Sequence, residues 1–400
     1  MDPLLLGHLG EWLHLVARWI HIAAAIAWVG ASFYFIALDH GLREAADERD
    51  RARGVGGESW EIHGGGFYRI EKFRVAPERL PGSLRWFKWE AYITWLSGFA
   101  LLVLLYYVDP LRFLIDPAVR DLAGWQAVAA SVGILAVGWL AYDLASRKLE
   151  DRPLLLAGVI VALVVLTVWI STELFSARAA YIQAGATLGT WMAANVLFTI
   201  IPGQRELIRA KEAERDPDAV FGLRGKQRSV HNNYLTLPVI FAMMSQHFPI
   251  TYGHAFGAAV LLALMAAGAT AQHWLNLRHR GDAEPALLWG AGAIVLAVAV
   301  VTGPSLAPAE PLTAAEVTAV RQVFVARCVS CHAVRPTNTE FTAPPKGLAL
   351  ETNERIRASA ALIYQQVVLS RAMPLGNQTE MTEDERDLIS RWYRTGAPRP

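Results

Sequence analysis

Two cysteines and a histidine near the carboxyl end of the chain form the pattern with the most specific chemistry. Cys328, Cys331 and His332 make a Cys-x-x-Cys-His sequence, in which two thioethers hold a haem c and the histidine ligates its iron. The chain has only 2 cysteines, so a structural zinc site would lack soft ligands. A thioredoxin-like pair would need a βαβ setting, whereas the flanking sequence is helical. The pattern therefore predicts covalent haem c.

A methionine further along the chain supplies a second ligand for the iron. Met373 is followed by Pro374, a rigid residue that can hold the thioether toward the open iron face. We expect His332 and Met373 to be the two axial ligands. Covalent haem attachment in bacteria takes place outside the cytoplasmic membrane, so this region is expected in the periplasm.

The residues around the haem motif predict a small class-I-like cytochrome c domain. Thr313 and Glu316 form a capping-box pattern for a helix that ends near Cys328. Residues 362–371 should form a second helix, and Thr382 should cap a last one. A core of fewer than ~90 residues is small, so the haem must supply much of it.

The predicted domain boundaries follow from these elements. Residues 1–303 form a membrane domain, and residues 304–312 are a proline-containing linker that tethers the last domain to the membrane surface. Residues 313–400 form the cytochrome c domain.

The first three quarters of the chain have the composition of an all-α polytopic membrane protein. Over the whole chain, 54% of the residues are hydrophobic, 18% are charged and 14 are tryptophan, which is typical of membrane helix bundles. No cleavable signal peptide is expected, because the first apolar run is too long and lacks a basic leader. Eight apolar runs reach about spanning length: 13–38, 91–108, 122–142, 154–170, 184–201, 233–247, 255–275 and 286–303.

The lysines and arginines between these runs predict the topology. The segments 39–90, 143–153, 202–232 and 276–285 hold 22 of them, whereas the alternate segments 1–12, 109–121, 171–183 and 248–254 hold 3. Cytoplasmic loops carry the positive excess, so both termini are expected outside. The net charge of +1 indicates no nucleic-acid partner.

Four histidines fall near the predicted outer ends of the spans. His14 and His21 are seven residues apart on one helix, with Arg18 between them, and His247 and His254 follow the sixth span. They either cap helix ends and bind water at the interface, or ligate a haem b inside the bundle. His21 is the deepest and is the preferred ligand of the iron in the second interpretation.

Several stretches of the chain resemble the bacterial membrane-bound urate hydroxylases (urate oxidases) that carry a fused C-terminal cytochrome c. The similarity begins in the first span with Arg-Trp-Ile-His at 18–21 and Ala-Trp-Val-Gly at 27–30. It is clearest in Arg-Ser-Val-His-Asn-Asn-Tyr-Leu-Thr-Leu-Pro at 228–238. It also covers the stretches 67–78, 86–92, 194–196 and 201–205.

This resemblance implies oxidation of urate to 5-hydroxyisourate, with water as the source of oxygen. Electrons would leave through the haem c to a respiratory acceptor such as a soluble cytochrome c or a terminal oxidase. The protein would be a multi-pass component of the bacterial inner membrane, embedded in the lipid bilayer.

Candidate substrate ligands lie on the predicted cytoplasmic side. Arg228, His231, Asn232 and Asn233 offer a guanidinium, an imidazole and two amides at the mouth of the sixth span. Lys72 lies in loop 39–90, where 66–75 and 83–89 are expected to pair as a hairpin around Pro81-Gly82. Each also has a structural explanation, because cations favour inner helix ends and asparagines cap helices.

One difficulty and two alternative functions accompany this assignment. A cytoplasmic substrate and a periplasmic haem would be separated by a hydrocarbon core of ~30 Å, too far for one electron hop. Either the substrate binds near the outer histidines or a membrane redox centre bridges the gap. A quinol-oxidising or other respiratory membrane cytochrome fits the histidines and the haem motif as well, and a haem-linked transporter would use intramembrane histidines.

Overall fold

The computed structural model describes residues 3–303 and 309–399, so residues 304–308 of the predicted linker lie outside the described part. The described chain is mostly helical and carries one two-stranded sheet. The α-helices are α1 Pro3–Gly41, α2 Glu48–Ala52, α3 Trp89–Leu102, α4 Pro110–Phe113, α5 Gly124–Lys148, α6 Pro153–Leu174, α7 Ala177–Asn195, α8 Ile201–Glu212, α9 Ala219–Met244, α10 Pro249–Tyr252, α11 Gly257–Arg280, α12 Pro285–Val301, α13 Ala314–Arg327, α14 Asn353–Ala358, α15 Ala360–Ile363 and α16 Glu383–Arg394. The strands are β1 Val55–His63 and β2 Gly66–Phe73.

Three π-helical segments continue α-helices without a break. They are Val103–Tyr107 after α3, Val196–Ile200 between α7 and α8, and Tyr364–Leu369 after α15. Such segments are rare in proteins and are frequent at functional sites.

Six helices of the described residues are long and apolar enough to cross a membrane: His8–Gly41, Trp89–Tyr107, Gly124–Lys148, Pro153–Leu174, Ala177–Glu212 and Gly257–Arg280. Eight crossings are not confirmed. The predicted run 233–247 covers only the second half of α9, whose first half carries Arg224, Lys226 and Arg228. The eighth run corresponds to α12, which has 17 residues, fewer than the ~20 that span a bilayer.

Helix α7 is the centre of the bundle. It packs against α3, α5, α6 and α9, and most of its side chains are buried. The main core cluster joins Tyr142, Leu188, Trp191 and Leu261 from α5, α7 and α11. The outer helices expose large apolar side chains, among them Leu154 at 89%, a distribution consistent with contact to lipid.

The hairpin of loop 39–90 contains the predicted strand 66–75 as β2, but its partner strand and its turn differ from the prediction. β1 and β2 pair antiparallel across Gly64 and Gly65, which have φ values of +56° and +81°. A two-residue turn with positive φ at both positions matches the twist of a hairpin, and glycine adopts it without strain. The stretch 83–89, predicted as the second strand, is irregular up to the start of α3.

Most of the helix boundaries predicted for the C-terminal domain are observed in the structure. Thr313 and Glu316 form the expected capping box, and Cys328 is the C-cap of α13. Thr382 and Glu385 form a second box at the start of α16. The predicted helix 362–371 is realised as α15 and the π segment after it. The apolar cluster of this domain includes Phe324, Ile389 and Trp392.

The C-terminal domain contacts the bundle through two short segments, a turn and a π-helical segment. The turn Leu375–Asn377 packs on α4, and the π segment Tyr364–Leu369 packs on α10. Both helices belong to segments that the charge count assigns to the outer side, 109–121 and 248–254. The domain therefore lies on the side of the bundle with few positive charges.

We expect Gly253→Ala to detach the C-terminal domain from the bundle. A Cβ at position 253 would overlap the backbone carbonyl of Ser370, which cannot move as a flexible side chain would. Limited proteolysis between residues 303 and 313 should accelerate in this variant. The control is Gly133→Ala, where an added Cβ meets no atom within 4 Å. Equal cleavage of both variants would contradict the contact.

Candidate functional site

A polar network lies inside the bundle between α5, α7 and α9. Asn195 Nδ2 donates to the Tyr142 hydroxyl at 2.9 Å and to Asn232 Oδ1 at 2.8 Å. The Tyr142 hydroxyl also forms a hydrogen bond of 2.8 Å with His231 Nδ1. Asn232 Nδ2 donates to the Met192 carbonyl at 3.0 Å. These contacts give the buried side chains of Asn195 and Asn232 their hydrogen-bond partners.

Arg228 is the buried cation of this network, with 2% of its surface exposed. Its Nη2 donates to Asp143 Oδ1 at 2.8 Å and its Nη1 to Asn195 Oδ1 at 3.3 Å. The guanidinium lies 5.2 Å from the Tyr142 ring centroid. Asp143 also accepts from Arg147 Nε at 2.7 Å. A buried charge persists only when it is paired and hydrogen-bonded, so these partners fix the guanidinium in one place.

The guanidinium of Arg228 forms part of the wall of a polar cavity of about 370 Å³. The cavity lies among α5, α8 and α9 at the end of the bundle that carries the positive loops. The side chains in its lining that carry polar groups are Ser146, Arg147, Glu150, Thr199, Glu206, Arg224, Gln227 and Arg228.

Two hydroxyls of this lining are buried without a hydrogen-bond partner in the described part of the chain, Ser146 Oγ and Thr199 Oγ1. Ser146 is 1% exposed and lies close to the Tyr142 hydroxyl without a hydrogen bond of normal geometry. Thr199 belongs to the π segment between α7 and α8. Buried hydroxyls without partners cost stability, so a polar ligand in the cavity would offset this cost by bonding to them.

The cavity has the chemistry to hold a small, planar, anionic molecule. Arg228 offers a fixed positive charge, Gln227 an amide, and Ser146 and Thr199 two hydroxyls. The arginines of the lining have acidic partners but keep a positive excess, because Arg224 pairs with Glu150 at 2.9 Å whereas Arg147 and Arg228 share the single carboxylate of Asp143. The ring of Phe198 in the same lining offers an apolar surface.

The structure brings three of the five predicted substrate ligands together. Arg228, His231 and Asn232 belong to the polar network, although only Arg228 lines the cavity. Asn233 faces another helix, where its Oδ1 accepts from Asn276 at 2.7 Å and its Nδ2 has no partner among the described residues.

Lys72 lies outside the polar network. On β2 it forms an ion pair with Asp39, which also pairs with Lys226 at 3.0 Å. Burial and the nearby Lys226 lower the pKa of Lys72. This lysine therefore belongs to the contact between the hairpin and the end of α1.

Sequence reasoning missed the partners that surround Arg228. Tyr142, Ser146 and Thr199 carried no motif of their own. Asn195 was the one available signal, because it is an amide within an apolar run and belongs to the stretch 194–196 of the family resemblance.

The C-terminal motif is arranged around one apolar cluster. His332 Nδ1 donates to the Leu348 carbonyl at 2.8 Å, which leaves Nε2 free to bind a metal. Cys328 and Met373 both pack against the cluster that contains Trp392. Burial, followed by the nearby Cys331, raises the pKa of the Cys328 thiol to about 12, so Cys328 is not a reactive thiolate. The described residues contain no group of three His, Cys, Asp or Glu side chains that could hold a metal ion by themselves.

A second cavity, larger and mainly apolar, lies toward the opposite end of the bundle. Its volume is about 510 Å³, and it is lined by parts of α1, α3, α7 and α9. Two of the four predicted outer histidines, His21 and His247, belong to its lining, together with Arg18. His14 and His254 are absent from that lining, and His254 Nδ1 instead accepts from the Phe256 amide at 3.2 Å.

Comparison with known proteins identifies the family of the membrane part. The model of the urate oxidase N-terminal family matches residues 7–303, which include both cavities. No curated protein and no solved structure matches the chain. Since the match covers nearly three quarters of the sequence, the chain belongs to the urate oxidase N-terminal family.

Proposed function

We propose that this protein oxidises urate to 5-hydroxyisourate in the membrane and passes the electrons to a haem c. In this reaction urate and one water give 5-hydroxyisourate, two protons and two electrons. The oxygen atom comes from water, which attacks carbon 5 of the oxidised ring. The observation that carries the proposal is the cavity beside Arg228 in a chain of the urate oxidase N-terminal family.

Urate binds in the polar cavity as a planar anion. The volume of the cavity, about 370 Å³, fits the range of about 300–1,000 Å³ of small-molecule sites. Arg228 neutralises the negative charge, and its own contacts to Asp143 and Asn195 keep it in place. Ser146, Thr199 and Gln227 bond the carbonyl and ring nitrogen groups of the purine.

The Tyr142–His231 pair takes up a proton from the site. Ser146 lies between the cavity and the Tyr142 hydroxyl, and that hydroxyl contacts His231 Nδ1 at 2.8 Å. A proton released by the attacking water would pass from Ser146 to the Tyr142 hydroxyl once these two hydroxyls come within hydrogen-bonding distance, and from there to the imidazole. Asn195 and Asn232 orient the tyrosine and do not touch the substrate.

The C-terminal domain is the electron exit. Cys328 and Cys331 would hold a haem c, and His332 and Met373 would ligate its iron. The residues fit this role, because His332 Nε2 is free and Met373 packs on the same apolar cluster as Cys328. The haem accepts single electrons, and a soluble cytochrome c or a terminal oxidase would remove them.

The proposed setting is the bacterial inner membrane, crossed by the six long apolar helices together with α9 and α12. The excess of Lys and Arg places the polar cavity on the cytoplasmic side, where purine breakdown supplies urate. The N-terminus and the C-terminal domain then face the periplasm. The position of that domain beside α4 and α10 supports this orientation.

The direct test uses anaerobic membranes that contain the protein. We expect urate to reduce the c-type haem, observed as the growth of its reduced absorbance band. A haem that stays oxidised with urate but is reduced by a quinol would replace the proposal with a quinol-oxidising cytochrome.

The two unpartnered hydroxyls give a test of the cavity itself. We expect Ser146→Ala and Thr199→Val each to raise KM for urate about 3- to 10-fold, the effect of one lost hydrogen bond. Thermal stability should stay the same or rise, because each change removes a buried polar group without a partner. A fall in stability with unchanged KM would mean that the hydroxyls serve the fold alone.

Met373→Ala tests the second axial ligand. We expect the covalent haem to remain and its potential to fall, since a methionine ligand raises the potential of a cytochrome c. A redox titration followed by absorbance measures the shift. Met381→Ala is a suitable control, because Met381 is buried in the same domain without the predicted role. An unchanged spectrum and potential in Met373→Ala would exclude Met373 as the second axial ligand.

A further inference from the structure

The apolar cavity near the outer end of the bundle contains a histidine that is prepared to bind a metal. His21 Nδ1 donates to the Thr94 carbonyl at 3.0 Å and lies 3.2 Å from the Ser97 hydroxyl. The proton is therefore on Nδ1, and Nε2 keeps its lone pair. A carbonyl acceptor on the other ring nitrogen is typical of histidines that ligate metals.

Space around this imidazole is provided by a glycine. A Cβ on Gly98 would lie 2.8 Å from His21 Cε1, so the absence of a side chain lets the ring stand beside α3. Both residues line the cavity of about 510 Å³. His247 is the other imidazole in that lining.

Two arginines near the cavity have no acidic partner among the described residues. Arg18 lines the cavity and is exposed. Arg178 donates to Gln246 at 3.2 Å, and its Nε has no partner in the described part of the chain. Arg178 is half-buried at the start of α7, in the segment 171–183 that the charge count assigns to the outer side. Guanidinium groups at this end of an apolar cavity suit the carboxylates of a ligand.

Tyr106 is an independent indication of a ligand. It is 2% exposed and lines the cavity. Its hydroxyl lies near Arg178, yet makes no hydrogen bond of normal geometry within the described residues. A buried phenol normally has a partner, so a carboxylate held between Tyr106 and the arginines would satisfy all of these groups.

We propose that this cavity binds a non-covalent haem b, with His21 Nε2 as an axial ligand of the iron. The apolar walls hold the porphyrin, and the two propionates meet Arg18, Arg178 and Tyr106. His247 is available for the second axial position. The site is separate from the haem motif at Cys328, and the inference does not depend on urate being the substrate.

The position of the cavity also divides the path of the electrons across the membrane into two steps. It is lined by Thr190 and Met192, the neighbours of Trp191, and Trp191 stacks on Tyr142 of the inner network at 4.9 Å between centroids. A haem here would accept electrons from the substrate side and pass them to the haem c on the outer side. One gap of ~30 Å then becomes two shorter ones.

The test is the haem content of the purified full-length protein, measured without urate. Acidified acetone extracts haem b and leaves haem c on the protein. We expect about one extractable protohaem per chain, because one pair of axial ligands holds one haem iron. Protein loaded with covalent haem that yields none, or that yields a quinone instead, overturns the proposal.

Variants identify the ligand. We expect His21→Gly to lose the extractable haem while it keeps the covalent haem and elutes as a single species, and added imidazole to restore it. Gly98→Ala should weaken haem binding by displacing the His21 ring. His8→Ala, on the same helix but outside the lining, is the matched control and should keep the full complement. Retention of haem b in His21→Gly, or no rescue by imidazole, overturns the assignment.

Discussion

Replacing Arg228 with glutamine lowers kcat/KM for urate by about 10- to 100-fold in the proposed mechanism. A hydrogen bond to a charged group contributes about 1.5–3 kcal/mol, and the variant leaves the urate anion only Arg147 and Arg224, which pair with Asp143 and Glu150. Asp143 keeps Arg147 as its partner at 2.7 Å, so the variant does not strand a buried carboxylate. Steady-state reduction of an added acceptor measures the loss.

A matched variant separates this effect from the general need for cations at the inner ends of helices. Arg278 is exposed at the end of α11, where it lies over the Trp274 ring, and it is outside the polar cavity. Arg278→Gln makes the same change of charge and should leave kcat/KM within about 2-fold, as is usual for surface substitutions. Similar losses in both variants would indicate that Arg228 serves topology and not substrate binding.

The double substitution Cys328→Ala with Cys331→Ala should abolish urate-dependent electron transfer. Without the two thioethers the haem cannot be held covalently, and the small apolar cluster of the domain loses much of its packing. We expect no haem signal on the chain after denaturing electrophoresis and an activity at the background of membranes without the protein.

The control for this substitution lies between the two cysteines. Ser330→Ala keeps both sulfur atoms, and the polar contact of the Ser330 side chain within the described residues is one of 3.8 Å with Cys331 Sγ. It should retain haem and activity. Urate-dependent reduction of the acceptor by the double variant at the rate of the unchanged protein would exclude the C-terminal domain as the electron exit.

Local signals in the sequence were sufficient for the C-terminal helices but not for the hairpin. The capping boxes at Thr313 and Thr382 are set by residues three positions apart, so a short stretch of sequence determines them. The hairpin was misplaced because Pro81-Gly82 and Gly64-Gly65 are both turn signals. Only the pairing of β1 with β2 decides between them, and that pairing depends on residues outside either turn.

Helix geometry explains which site residues could be predicted. Arg228, His231 and Asn232 are separated by three and four positions, so they share one face of α9. Asn233 is one position further and faces α11. The partners Tyr142 and Asn195 come from α5 and α7, and the register of packed helices brings them to Arg228. The sequence contains no short-range signal for that register.

The close contact between Gly253 and Ser370 also bears on the kinetics of the proposed electron exit. A soluble carrier must find its donor by diffusion, so its rate depends on concentration and, for charged partners, on ionic strength. A carrier that is tethered and docked is present at a fixed effective concentration. The first transfer out of the bundle would then be unimolecular, insensitive to dilution and salt, and only the later step to the external acceptor would respond to either.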